Sequence, residues 1–107
     1  VVFQLRTYQI KPNLMDEWLD LFHGAVVPLH EKYGLPVRTA WVDRETNTFT
    51  WVRELTGEGS AEEQEARYRA TDERAEVIGD RPAAFIDSMV VREVESAFPA
   101  PDQPAGK

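Results

Sequence analysis

At 107 residues, with 42% hydrophobic and 29% charged side chains, the chain suits one small globular domain rather than a disordered segment. A net charge of -7 and scattered basic residues exclude a nucleic-acid footprint and adhesion to an anionic membrane, and no apolar stretch nears the ~20 residues of a membrane helix. Cysteine is absent, which excludes disulfides, thiolate metal sites and cysteine nucleophiles and fits the expected location, a reducing cytoplasm.

Residues 2–10 alternate, with Phe3, Leu5 and Thr7 on one face and Gln4, Arg6 and Tyr8 on the other, a period of two that predicts a strand. Lys11-Pro12-Asn13 breaks it, and Asn13 is placed to cap a helix whose first turn holds Asp16 and Glu17. That helix is expected over residues 14–33, with Trp18, Phe22, Val26, Leu29 and Tyr33 on one face. Pro28 removes one backbone hydrogen bond and clashes with the carbonyl of Gly24, so a kink is expected there. Gly34 and Pro36 end the helix.

Two β-branched and aromatic runs, residues 37–43 and 48–55, are joined by Arg44-Glu45-Thr46-Asn47 and read as a hairpin. After a Gly57-Glu58-Gly59 loop, Ser60 and Glu63 form a capping box that opens a second helix, expected to run to about Ile78. A last strand is expected over residues 88–95. Residues 1–98 thus form the domain, and the proline-rich residues 99–107 a flexible tail.

The order strand, helix, strand, strand, helix, strand is the ferredoxin-like βαββαβ pattern: an α+β fold with a four-stranded antiparallel sheet and both helices on one face. The other face is left open, and Arg6 and Tyr8 are expected to meet solvent or a partner there. A second copy of the chain is the economical cover, which predicts a homodimer.

Leu5-Arg6-Thr7-Tyr8-Gln9-Ile10-Lys11-Pro12, Met15-Asp16-Glu17-Trp18 and Pro28-Leu29-His30-Glu31-Lys32-Tyr33-Gly34-Leu35 resemble the corresponding stretches of NIPSNAP proteins. Trp41 also stands where that family tends to carry an aromatic, and the resemblance runs to about residue 95. Two departures are Asn13, where the family commonly has Gly, and Asp80-Arg81-Pro82-Ala83-Ala84-Phe85, which lacks the family's Trp and leaves more space under the second helix. The resemblance implies a dimeric α/β barrel. Proteins of that wider fold include cofactor-free monooxygenases, polyketide cyclases, lactone isomerases and some haem enzymes, and fold alone does not choose among them.

His23 and His30, seven residues apart on one helix, point within ~20° of each other and are candidate proton carriers, or else half-exposed residues without a role. The inward stripe of the second helix, Ala61, Gln64, Tyr68, Thr71, Ala75 and Ile78, is small and polar. Gln64, Tyr68 and Thr71 therefore line a cavity, or the helix lies loosely on the sheet. Trp41 and Trp51, on adjacent strands, form an aromatic wall for a flat substrate or belong to core or interface. For Arg6, pairing at an interface with Glu54, Glu93 or Glu95 is preferred to anion binding.

No dinucleotide loop, paired-histidine zinc motif, nucleophile elbow or phosphate loop is present, so neither cofactor nor metal is expected. The leading expectation is a cofactor-free homodimeric enzyme that cyclises, isomerises or oxygenates a hydrophobic, aromatic or polyketide-like molecule. His23, His30 and Tyr68 would be catalytic, and Tyr8, Trp41, Trp51, Gln64 and Thr71 would bind substrate. The alternative is a non-catalytic homodimer that binds a small ligand or a protein. A haem-binding reading is disfavoured because haem proteins of this fold are generally longer.

Overall fold

In the computed structural model, which describes residues 2–98, the alternating segment is strand β1 (Val2–Ile10). The expected flexible tail, 99–107, lies outside the described residues. The hairpin strands are β2 (Val37–Asp43) and β3 (Thr48–Leu55), with the turn where the sequence places it. The last strand, β4 (Ile86–Val94), starts two residues earlier than expected. The sheet order is β2-β3-β1-β4 with every pairing antiparallel, the ferredoxin-like arrangement.

The first helical stretch is continuous but changes pitch, from α1 (Met15–Leu21) through a π turn (Phe22–Val26) to α2 (Val27–Lys32). In the wide turn, the N–H of Val27 reaches back five residues to the carbonyl of Phe22. Pro28 accounts for this: a turn widened by one residue accommodates its ring and its missing donor. The expected kink is therefore a π turn. Asn13 does not cap the helix. It adopts a left-handed conformation (φ 65°), and Leu14 takes the cap position without a side-chain bond.

The second helix is not continuous as expected. It divides into α3 (Ala61–Arg69), opened by the Ser60–Glu63 capping box, and α4 (Asp72–Val77). Thr71 makes the break: its hydroxyl donates to the carbonyl of Tyr68 at 2.8 Å and accepts from the N–H of Arg74 at 3.2 Å. A threonine that bonds locally in this way offers the backbone an alternative to the helix ladder. A 3-10 turn (Arg81–Ala84) then leads into β4.

The helices cover the face of β1 that carries Gln4, Arg6, Tyr8 and Ile10, together with Phe49, Trp51, Arg53 and Leu55 of β3. This corrects the expectation that Arg6 and Tyr8 look outward; Phe3, Leu5 and Thr7 do. In register, Tyr8 faces Phe49, Arg6 faces Trp51 and Gln4 faces Arg53. Trp18 and Phe22 meet Phe49 edge-on, with centroids 5.6 and 4.7 Å apart. An apolar centre under α1 and the π turn thus passes, along the same sheet face, into a buried polar end. Among the described residues no helix is long and apolar enough to cross a membrane.

Candidate functional site

The polar end of that face opens into a cavity of about 430 Å³, bounded by the sheet, the π turn, α2, α3 and the segment from α4 into β4. Small residues leave the space: Gly79, Pro82 and Ala83 line it where a bulkier segment would fill it. Residues 80–85 hold Phe85 but no Trp. A second, wider depression, near Asn13, Asp16 and Arg44, carries an exposed Arg44–Asp16 pair.

Behind the cavity runs a connected polar network. The Oε1 of Gln4 accepts from Arg6 Nη1 and from Arg53 Nε, both at 2.8 Å. Arg6 Nε donates to the Tyr8 hydroxyl at 2.8 Å. Arg53 Nη1 lies 2.9 Å from His30 Nε2, and His30 Nδ1 lies 2.8 Å from the carbonyl of Val26. A guanidinium can only donate, so Nε2 must accept, and the imidazole proton sits on Nδ1, bonded to Val26. The Tyr68 hydroxyl approaches Nδ1 at 3.3 Å.

Glu65 on α3 closes the network, 3.1 Å from Arg53 Nη2 as an ion pair rather than an aligned hydrogen bond, 3.6 Å from Arg6 Nη1 and 3.4 Å from Arg69 Nε. Burial works to raise the Glu65 carboxyl, but Arg53, Arg6 and Arg69 outweigh it and hold the pKa below its ordinary value. Burial, then the neighbouring Arg6 charge, brings Arg53 down to about 10. Burial and the Arg53 charge push His30 down to about 3. His30 is thus a neutral imidazole with its lone pair engaged, which makes it a support for Arg53 rather than a proton carrier near pH 7. Burial raises the Tyr68 hydroxyl.

Of the residues singled out from the sequence, Tyr8, His30, Trp51 and Tyr68 line this cavity. Four others lie elsewhere. His23 is exposed and outside the lining, because the extra residue in the π turn rotates everything after it by about 100° and separates the two histidines. Trp41 pairs with Thr50 on the open face, 56% exposed, whereas Trp51 pairs with Ala40 on the covered face. The aromatic wall is instead Trp51 with Tyr8 and Trp18. Gln64 is buried but fastens the preceding loop, accepting from the N–H of Gly57 at 2.8 Å and donating to the carbonyl of Gly59 at 3.0 Å. Thr71 serves the helix break.

Arg6 finds its carboxylate in Glu65, not in Glu54, Glu93 or Glu95; Glu54 pairs with Arg38 at 2.7 Å. The sequence reading missed Arg53, Glu65 and Asp87. Arg53 was signalled by alternation, being the one charge among Phe49, Trp51 and Leu55 on the buried face of β3. Asp87 occupies a bulge: Gln9 pairs with Ser88 and Ile10 with Ile86, leaving Asp87 unmatched at the cavity rim. Among the described residues no group of three or more His, Asp or Glu side chains is placed to hold a metal.

Comparison with known proteins bears on this architecture. The sequence profile of the NIPSNAP family matches residues 3–101. No curated protein matches the chain. A NIPSNAP domain protein from Burkholderia xenovorans has a similar structure at 16% identity, with 97% of this chain and 99% of that one covered and a TM-score of 0.75. A NIPSNAP family protein from Agrobacterium tumefaciens is similar at 15% identity, covering 92% and 88%, with a TM-score of 0.77. A structure described as an antibiotic biosynthesis monooxygenase shares the fold at 16% identity, covering 92% and 100%, with a TM-score of 0.65. At such identities the structural likeness speaks for the fold, while the profile spans nearly the whole domain: the chain belongs to the NIPSNAP family.

Proposed function

We propose that the protein is a homodimeric, cofactor-independent enzyme that enolises a hydrophobic, aromatic or polyketide-like small molecule, the step from which cyclisation and isomerisation proceed. The observation that carries this reading is the cavity itself, with an aromatic wall on one side and the donor groups of Arg6, Tyr8 and Tyr68 converging on it. A flat substrate lies against Trp51 and Tyr8. Its carbonyl oxygen accepts from the Tyr8 hydroxyl, which Arg6 polarises from behind.

The proton leaving carbon passes to the carboxylate of Asp87 at the rim; the electron pair of that C–H bond becomes the new C=C bond, and the π pair of the carbonyl moves onto its oxygen. Return of the proton to a different carbon completes an isomerisation. His30 holds Arg53 in place and takes no proton. In this scheme Tyr8, Arg6 and Asp87 replace the histidines as the groups that carry the chemistry.

Exchange of the enolisable hydrogens of 2-tetralone for deuterium, followed by proton NMR, tests the proposal. The protein should accelerate exchange over buffer, and Asp87→Asn should remove about 100-fold or more of the acceleration. Binding of the ketone without accelerated exchange would instead favour a non-catalytic ligand-binding homodimer.

A further inference from the structure

The donor groups at the cavity wall are less fully used than their burial warrants. Arg6 is 5% exposed, yet its Nη2 has a thioether as hydrogen-bond partner, the Sδ of Met89 at 3.8 Å. Sulfur is a weak acceptor, and a buried guanidinium N–H normally commands an oxygen. Met89 also lines the cavity and is half exposed, so the place it holds is reachable by a ligand. Nε and Nη2 form one edge of the guanidinium, and Nε already donates to the Tyr8 hydroxyl. Because that hydroxyl accepts from Arg6, its own proton is free to be donated, and among the described residues it has no acceptor. Two strong donors, Arg6 Nη2 and Tyr8 O–H, are therefore short of an oxygen at one place.

Charge points the same way. Arg6 and Arg53 are both buried behind the cavity, and the one carboxylate they share, Glu65, also serves Arg69. His30 contributes no compensating charge. Arg74 stands on the same wall, over the Tyr68 ring at 5.9 Å. Opposing these are Asp80 and Asp87, both exposed at the rim, where solvent screens them far more than the buried pair is screened.

We infer that the cavity takes its ligand as an oxyanion, the phenolate or enolate of an acidic phenol or 1,3-dicarbonyl compound, held by Arg6 Nη2 and the Tyr8 hydroxyl with Met89 displaced. This rests on the enolising function proposed above and deepens it: the enolate formed when Asp87 takes the carbon proton is the ion that Arg6 and Tyr8 hold, and a ligand that is already ionised takes the same place. The apolar body accounts for shape, and the anion for specificity.

4-Nitrophenol reports both states directly, because its phenolate absorbs visible light and it ionises near neutrality. Bound to the protein, its apparent pKa should fall by about one unit or more, a tenfold preference for the anion. 4-Nitroanisole, the methyl ether, cannot ionise and reports on the apolar cavity alone. Met89→Glu places a tethered carboxylate beside Arg6 Nη2 from a half-exposed strand position, where folding tolerates the change. It should abolish the pKa shift while leaving 4-nitroanisole affinity within about twofold. Arg6→Met, checked for folding by its amide NMR spectrum, should also abolish the pKa shift.

Equal affinity for the two compounds, with no fall in the nitrophenol pKa, would overturn the oxyanion inference and leave the apolar binding cavity standing. Failure of both compounds to bind would remove the ligand-binding function as well.

Discussion

His30 is 4% exposed and its pKa is pushed down to about 3, first by burial and then by Arg53, whereas the unfolded chain protonates the same ring near 6.5. Between those values the unfolded state binds more protons than the native one, so native stability is complete above about pH 6.5 and declines as pH falls. Glu65, with its native pKa lowered, adds to the loss at more acid pH in the same direction. Stability should drop by about 2 kcal/mol between pH 6.5 and 5, read from urea midpoints at each pH. His30→Gln keeps an acceptor for Arg53 and a donor for Val26 but cannot ionise, so its profile over that interval should be nearly flat. An equally steep profile would place the acid sensitivity outside His30. The sequence shows where an ionisable residue falls in the alternation, as with Arg6 and Arg53. It does not show the partner: Glu65 lies on a helix far along the chain, and only the packing of α3 onto the sheet brings it to both guanidiniums. Without that partner in view, an arginine on one face of a strand reads as the solvent side, which is why the two faces of β1 were exchanged.

Helices and strands were more legible than their junctions. Hydrophobic period and turn residues locate all four strands and both helical regions, because burial and backbone geometry act over many residues at once. The junctions turn on single local bonds. Thr71 divides the second helix with one hydroxyl, and Pro28 converts the first to a π turn that carries His23 away from His30. The two glycines bounding α2 should respond to substitution in opposite senses. Gly24 has helical backbone and nothing within 4 Å of an added Cβ, so Gly24→Ala should stabilise by about 0.5–1 kcal/mol. Gly34 has φ 79° and ends the helix through the bond from Leu35 N–H to the carbonyl of His30 at 2.9 Å. Gly34→Ala should therefore destabilise by about 1 kcal/mol. Thermal unfolding of the two variants in parallel measures both, and changes of the same sign would mean that the backbone near one glycine differs from that described.

Across the molecule, the sheet has one face under helices and one face bare. In register, Leu5 stands opposite Val52, Thr7 lies between Thr50 and Val90, and Trp41 pairs with Thr50, so the bare face carries a band of apolar and β-branched side chains. Trp41 and Val90 are among the large hydrophobics left exposed. Arg92, opposite Leu5, interrupts the band; in the proposed homodimer a second copy would present the same band to it. The homodimer in the proposed function draws on this face, while the cavity lies on the other side of the sheet. Assembly and ligand binding should therefore separate. Leu5→Lys with Val90→Lys sets like charges across the band and should reduce the sedimentation mass from twice the chain mass to once. The affinity for 4-nitroanisole should stay within about twofold in that monomer. Loss of ligand binding together with the dimer would mean that the partner copy shapes the cavity through the sheet. A wild-type protein that already sediments as a single chain would leave the bare face to a different partner.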